Sequence, residues 1–162
     1  MEKILEQYGR VTVYMEGNHP SPMYHVDGGV EPNPYGNLAV LLEDDNLEEV
    51  MYNGGAQCVK VAHRDHGMCR TNVWVDDQSG LEIAKNIAAF TSVPLGDGPG
   101  MVPIFDGRLP DGSRVNGTIP PVSPDGPTLT IRKFREDPLT MIDLIKFGTV
   151  NIRLAAMMWV WI

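Results

Sequence analysis

Four arginines, Arg108, Arg114, Arg132 and Arg135, stand close together in the last third of this chain and are its residues best suited to chemistry. An arginine is always charged, planar, and able to give paired hydrogen bonds to phosphate or carboxylate oxygens. From 108 to 135 these four and Lys133 are opposed only by Asp111 and Asp125. Elsewhere the chain is acidic: residues 1–103 hold 6 Lys or Arg against 15 Asp or Glu, whereas residues 104–162 hold 7 against 6. Any anion site should therefore lie in the last third. Spacing alone equally allows exposed strand arginines paired with Asp106, Asp111 or Glu136, each pair worth ~0.2–1 kcal/mol. The net charge of −8 disfavours nucleic acid as a partner, because that binding rests on neutralising phosphates.

Other reactive groups form weaker patterns. His63, Asp65, His66, Cys58 and Cys69 are imidazole, carboxylate and thiolate types that suit zinc, but their spacing matches no standard ligand pattern, so a hairpin turn edged by histidines is expected and no metal site. Two cysteines are too few for a disulfide framework, and reduced thiols are the default. A triphosphate cradle needs Gly-x-x-x-x-Gly-Lys-[Ser/Thr], and none of Lys3, Lys60, Lys85, Lys133 or Lys146 follows Gly or precedes Ser or Thr. The glycines at 96, 98 and 100 also fail as a dinucleotide loop, because Pro103 and a strand follow where a helix should begin. Alone, the chain is not expected to hydrolyse ATP. Asp76 and Asp77 read as a turn and helix start rather than paired catalytic carboxylates.

The elements that must position these residues follow from periodicity. Residues 2–8, with Ile4, Leu5 and Tyr8 on one side, fit a short helix leading into an alternating strand at 11–14. Residues 17–36 are rich in Gly, Pro, Asn and His, with one extended piece at 23–26, and a soft boundary is placed near Tyr35. A broken helical pattern at 38–49 precedes an Asn53-Gly54 turn, and strands at 58–62 and 69–75 form a hairpin. Ser79 and Glu82 read as a capping box for a helix that runs until Pro94. Strands follow at 104–109, 114–119 and 129–134, separated by Pro-Asp-Gly turns; Thr140 with Asp143 caps a helix ending at Gly148, and Asn151 opens another. That last helix is apolar nearly all round from Leu154 and has no cap, so it is expected to continue into, or pack against, something further, with Trp159 and Trp161 in a core or interface.

At 162 residues and 43% hydrophobic composition the chain can bury a real core, which excludes a disordered tail. Its longest apolar stretch falls short of the ~20 residues that a bilayer crossing needs, and the N-terminus lacks a signal-peptide pattern. A cytoplasmic location is expected.

The run Phe105-Asp106-Gly107-Arg108-Leu109-Pro110-Asp111-Gly112-Ser113-Arg114-Val115-Asn116, with Ile119-Pro120-Pro121, the segment from Asp125-Gly126-Pro127 to Phe134, and Asp143-Leu144-Ile145-Lys146-Phe147-Gly148-Thr149, resembles the secretion ATPase superfamily. That family includes type II and type IV secretion ATPases, pilus assembly motors and the archaellum motor. Residues 38–54 are similar to its upstream helix and Asn-Gly turn, and the hairpin with Arg70-Thr71-Asn72 looks like the archaeal branch. The resemblance implies a mixed α+β, PAS-like N-terminal domain at 35–148, an N-terminal extension at 1–34, and at 149–162 the start of a linker to a RecA-like P-loop domain. It further implies a homo-hexamer, a polytopic membrane platform protein as partner, and a cytoplasmic protein held peripherally at the inner face of the membrane. ATP and Mg2+ would be cofactors of the full-length motor, neither binding tightly to this chain alone. Arg114 and Arg132 would act like arginine fingers on the phosphates, with Arg108 and Arg135 also in contact. The competing expectation is a standalone PAS-like regulatory or ligand-binding domain, since fold alone does not decide function.

Overall fold

The computed structural model describes residues 2–28, 33–55, 57–134 and 139–161. Its strands are β1 (Glu2–Tyr8), β2 (Val11–Glu16), β3 (Met23–Val26), β4 (Leu47–Tyr52), β5 (Cys58–His63), β6 (Gly67–Trp74), β7 (Ile104–Arg108), β8 (Arg114–Thr118) and β9 (Thr128–Arg132); its helices are α1 (Ala39–Leu42), α2 (Asp77–Phe90), α3 (Met141–Lys146) and α4 (Ile152–Trp161). The strands form one sheet in the order β1-β2-β3-β6-β5-β4-β9-β8-β7. This is the mixed α+β class expected from the sequence. Every neighbouring pair is antiparallel except β3 with β6.

The helix expected at 2–8 is a strand. Its Ile4, Leu5 and Tyr8 spacing suits a helix, but Gly9 takes the left-handed conformation (φ +52°) in a two-residue turn that folds the segment back onto β2. A bulge between Ile4 and Glu6 shifts the register midway. The sheet also runs across the boundary expected near Tyr35, since β3 pairs with β6 through Met23 opposite Arg70 and Tyr24 opposite Thr71. Beyond those two pairs the backbones separate, and the Asn72 carboxamide bridges the gap: its Nδ2 donates to Val26 O at 2.9 Å while its Oδ1 accepts from Val26 N at 3.0 Å.

One face of the sheet carries the core. Val13, Tyr24, Val50, Tyr52, Val59, Val61, Val115 and Ile131 are wholly buried there, under Leu41 of α1 and Ala84 and Ile87 of α2. The cap of α2 is Asp76 rather than the expected Ser79: the Asp76 side chain accepts from Ser79 N at 2.9 Å. Those Ser79 hydrogen bonds hold the Asp76 carboxyl below its ordinary range. Asp77 Oδ1 accepts from Tyr52 Oη and from Gly55 N, both at 3.0 Å, so the start of α2 fastens the β4–β5 loop. The two acids are structural, as the sequence suggested. The broken pattern at 38–49 resolves into the single turn of α1 and the start of β4. The Thr140–Asp143 capping box of α3 forms as expected, and Asn151 Oδ1 accepts from Leu154 N at 2.9 Å to open α4.

Candidate functional site

The strands expected around the arginines form almost where the alternation placed them, and their register decides what the arginines do. Arg108 lies directly opposite Arg114, Arg114 opposite Arg132, and Arg132 opposite Glu49. Residues opposite one another in antiparallel strands project from the same face. Val115, Ile131 and Val50, one position further along each strand, point the other way and are fully buried. The three arginines are therefore pinned to the face that no helix of the core covers, and all three are exposed.

Arg114 bonds to Asp106 through both nitrogens, Nε to Oδ1 and a terminal nitrogen to Oδ2, each at a long 3.3 Å. Its side chain keeps 71% exposure, so this pair is solvated and weak. Among the described residues Arg108 and Arg132 have no ion pair or side-chain hydrogen bond. Of the acids expected to match these arginines, Asp106 pairs with Arg114, and Glu136 lies outside the described residues. Like charges directly opposite one another destabilise a sheet. The row is bordered by two carboxylates, Glu49 directly opposite Arg132 and Asp106 bonded to Arg114.

Lys133, the fifth cation of this stretch, is elsewhere. Its Nζ donates to the Asp44 carbonyl at 2.5 Å and lies 3.9 Å from Asp45 Oδ1. Burial lowers its pKa, opposed by the charges of Asp45 and Asp44. Arg135 lies outside the described residues. Two cations that the sequence did not single out share the arginine face: Lys60 and Arg70, opposite each other on β5 and β6. Arg70 is tied to Glu16 at 3.1 Å. The in-out alternation of β5 and β6 was the signal that could have placed them.

The five residues of the zinc-like pattern are not gathered into one set. Cys69 points into the core, where burial pushes its thiol up to about 11, and it donates to Gly67 O at 3.5 Å. Cys58 is on the other face, opposite Trp74, and both thiols are free. The rings of His63 and His66 do approach, with centroids 4.7 Å apart. Trp159 and Trp161 are 80% and 79% exposed, so among the described residues no core receives them. No described helix is long and apolar enough to cross a membrane.

No protein-family model matches the chain. It is 49% identical over 124 residues to the uncharacterized protein MJ0781 of Methanocaldococcus jannaschii, a match that covers 76% of this chain and 17% of that protein. Two further uncharacterized proteins of the same organism are similar: MJ0900, 39% identical over 126 residues (76% of this chain, 22% of that one), and MJ1288, 34% identical over 88 residues (52% and 33%). The chain thus spans a third or less of the length of each relative. Among solved structures, it resembles the VirB11 ATPase from the Brucella suis type IV secretion system, crystallised in complex with sulphate, with a TM-score of 0.55 and 22% identity over 72% of this chain and 34% of that one. What this chain shares with that ATPase is its mixed α+β fold.

Proposed function

We propose that this chain is the N-terminal domain of a secretion-type motor ATPase, and that Arg114 and Arg132, flanked by Arg108, contact the phosphates of ATP held on a P-loop domain. The observation that carries the reading is the arginine row: three guanidinium groups at one register on an uncovered sheet face, two of them without a described ion pair or side-chain hydrogen bond although Glu49 lies opposite Arg132. Such a row spans about 10 Å across three strands, room for a polyphosphate rather than a single carboxylate. The sequence motifs around Arg108, Arg114 and Arg132 and the likeness to the VirB11 fold support it. The chain fits the phosphates and not the whole ligand. It offers cations, but no Gly-Lys loop to cradle the chain or hold Mg2+. Nucleotide would therefore bind to a partner domain and be completed by this one.

In this reading the full-length protein is a homo-hexamer at the inner face of the membrane, where closing of the cleft drives a polytopic platform protein. Assignment to the archaeal branch belongs to the same proposal and rests on the hairpin motif Arg70-Thr71-Asn72. Arg135, placed beside the others by the sequence motif, belongs to the same proposal.

The first test is the encoding gene beyond codon 162: a Gly-x-x-x-x-Gly-Lys-[Ser/Thr] loop within a domain's length supports the reading, and a stop codon overturns it. The second uses that full-length protein. Arg114→Ala and Arg132→Ala should each cut ATP turnover by about 10³-fold, the lower end for arginine fingers, with the melting temperature preserved. Unchanged turnover rejects the finger role.

A further inference from the structure

We propose that Glu6, His63 and His66 form a binding site for a divalent transition metal of the zinc class. Three separate segments supply the ligands: Glu6 comes from β1, His63 ends β5, and His66 sits in the β5–β6 turn. Glu6 Oε2 lies 2.8 Å from His66 Nε2 and 3.9 Å from His63 Nε2, and the ligand atoms of all three are within 4.8 Å of one another. Ligands placed tetrahedrally around zinc at its usual bond lengths are roughly 3.3 Å apart. The observed separations bracket that value, so small side-chain rotations close the site.

The surroundings suit a metal. His63 is almost wholly buried, whereas Glu6 and His66 reach solvent and leave a way in. Behind His63 runs a hydrogen-bonded chain in which Tyr8 Oη is 3.1 Å from His63 Nε2 and donates to Asp44 Oδ2 at 2.7 Å. Because Tyr8 Oη sits on the nitrogen that would ligate, a metal there would displace it, leaving Tyr8 its bond to Asp44. A further contact opposes binding: Asp65 N donates to His63 Nδ1 at 3.2 Å, which puts the ring proton on Nε2. A metal on Nε2 would move that proton to Nδ1 and break the Asp65 contact. What is lost at His63 is two long neutral hydrogen bonds, from Asp65 N and with Tyr8 Oη, each small beside a metal–imidazole bond. With three protein ligands, a fourth position stays open to water or a small anion.

Only the fold makes this set visible. In strand order, β2, β3 and β6 lie between β1 and β5, so Glu6 meets the histidines because the sheet coils over its core face. A metal here would pin the β1–β2 hairpin against the β5–β6 turn.

The test uses the full 162-residue chain without a histidine tag, stripped with EDTA and titrated with zinc chloride by calorimetry, with cobalt chloride as a spectroscopic probe. We expect one zinc per chain and a tetrahedral cobalt spectrum. His66→Ala and Glu6→Gln, both at solvent-reaching positions and checked for folding by circular dichroism, should each weaken binding by more than about 100-fold, beyond what loss of a second-shell partner costs. His25→Ala, which removes a histidine bonded to Asp27 on the surface, should leave binding unchanged. Absence of saturable zinc binding, or equal binding by the His66 and Glu6 variants, overturns the site.

Discussion

Asp44, the middle of three consecutive acids at 43–45, is a structural centre of the molecule. Its Oδ2 accepts from Tyr24 Oη at 2.6 Å and Tyr8 Oη at 2.7 Å, and its Oδ1 from Asn46 N at 2.9 Å. Burial raises its pKa, but the bonds from Tyr24, Asn46 and Tyr8 and the charge of Lys133 outweigh burial and leave it below the ordinary range. The same contacts push both tyrosines well above theirs, with burial the largest cause. A carboxyl whose folded pKa is depressed stabilises fully above its unfolded value, ~3.9, and the gain is lost as pH falls through the folded one. Asp44→Asn should therefore cost about 2 kcal/mol in urea unfolding at pH 7, as expected for hydrogen bonds to a charged group, and the gap from the parent protein should shrink below about pH 4. A gap that stays constant with pH would reject this role. Nothing in the run 43–45 separated Asp44 from its neighbours, because its partners come from β1, β3 and the stretch after β9. The arginines were legible as a group, but their register was not: it depends on turns that set β7 against β8 and β8 against β9.

At the level of elements, local signals were reliable where an element satisfies itself. The Thr140 capping box, the Pro-Asp-Gly turns and the alternation of β7, β8 and β9 all form as the residues dictate. They misled where tertiary pairing overrode a local pattern, as in β1, whose helical spacing yields to pairing with β2. Helix α2 combines both cases. Gly80 is a poor helix former in mid-helix, yet a Cβ built there would lie 2.5 Å from Tyr52 Cε1, so only glycine lets the helix settle on that ring. Gly80→Ala normally gains about 1 kcal/mol in an open helix. Here overpacking should reverse the sign and cost about 1–3 kcal/mol in thermal or denaturant unfolding. A stabilised variant would show that Tyr52 moves aside freely.

For the molecule as a whole, the sheet with α1 and α2 is self-sufficient, while α3 and α4 pack chiefly on each other and leave Ile142, Phe147, Ile152 and Trp159 exposed. A chain shortened to residues 1–138 should melt within about 5 °C of the parent and bind less hydrophobic dye. Failure to fold would place the last two helices in the core. The apolar end of α4 was plain from the sequence; the joining of residues 1–34 to the same sheet was not, since its backbone ladder is only two register pairs and the rest is side-chain contacts from distant segments. That junction is the molecule's natural fracture line. Neighbouring strands elsewhere share four or more register pairs, so a tearing force on this plate would part β3 from β6 first and release the first 28 residues as one flap. The contacts of Glu6 with His66 and of Tyr8 and Tyr24 with Asp44 all cross that line, rivets over the one seam where the plate is thin.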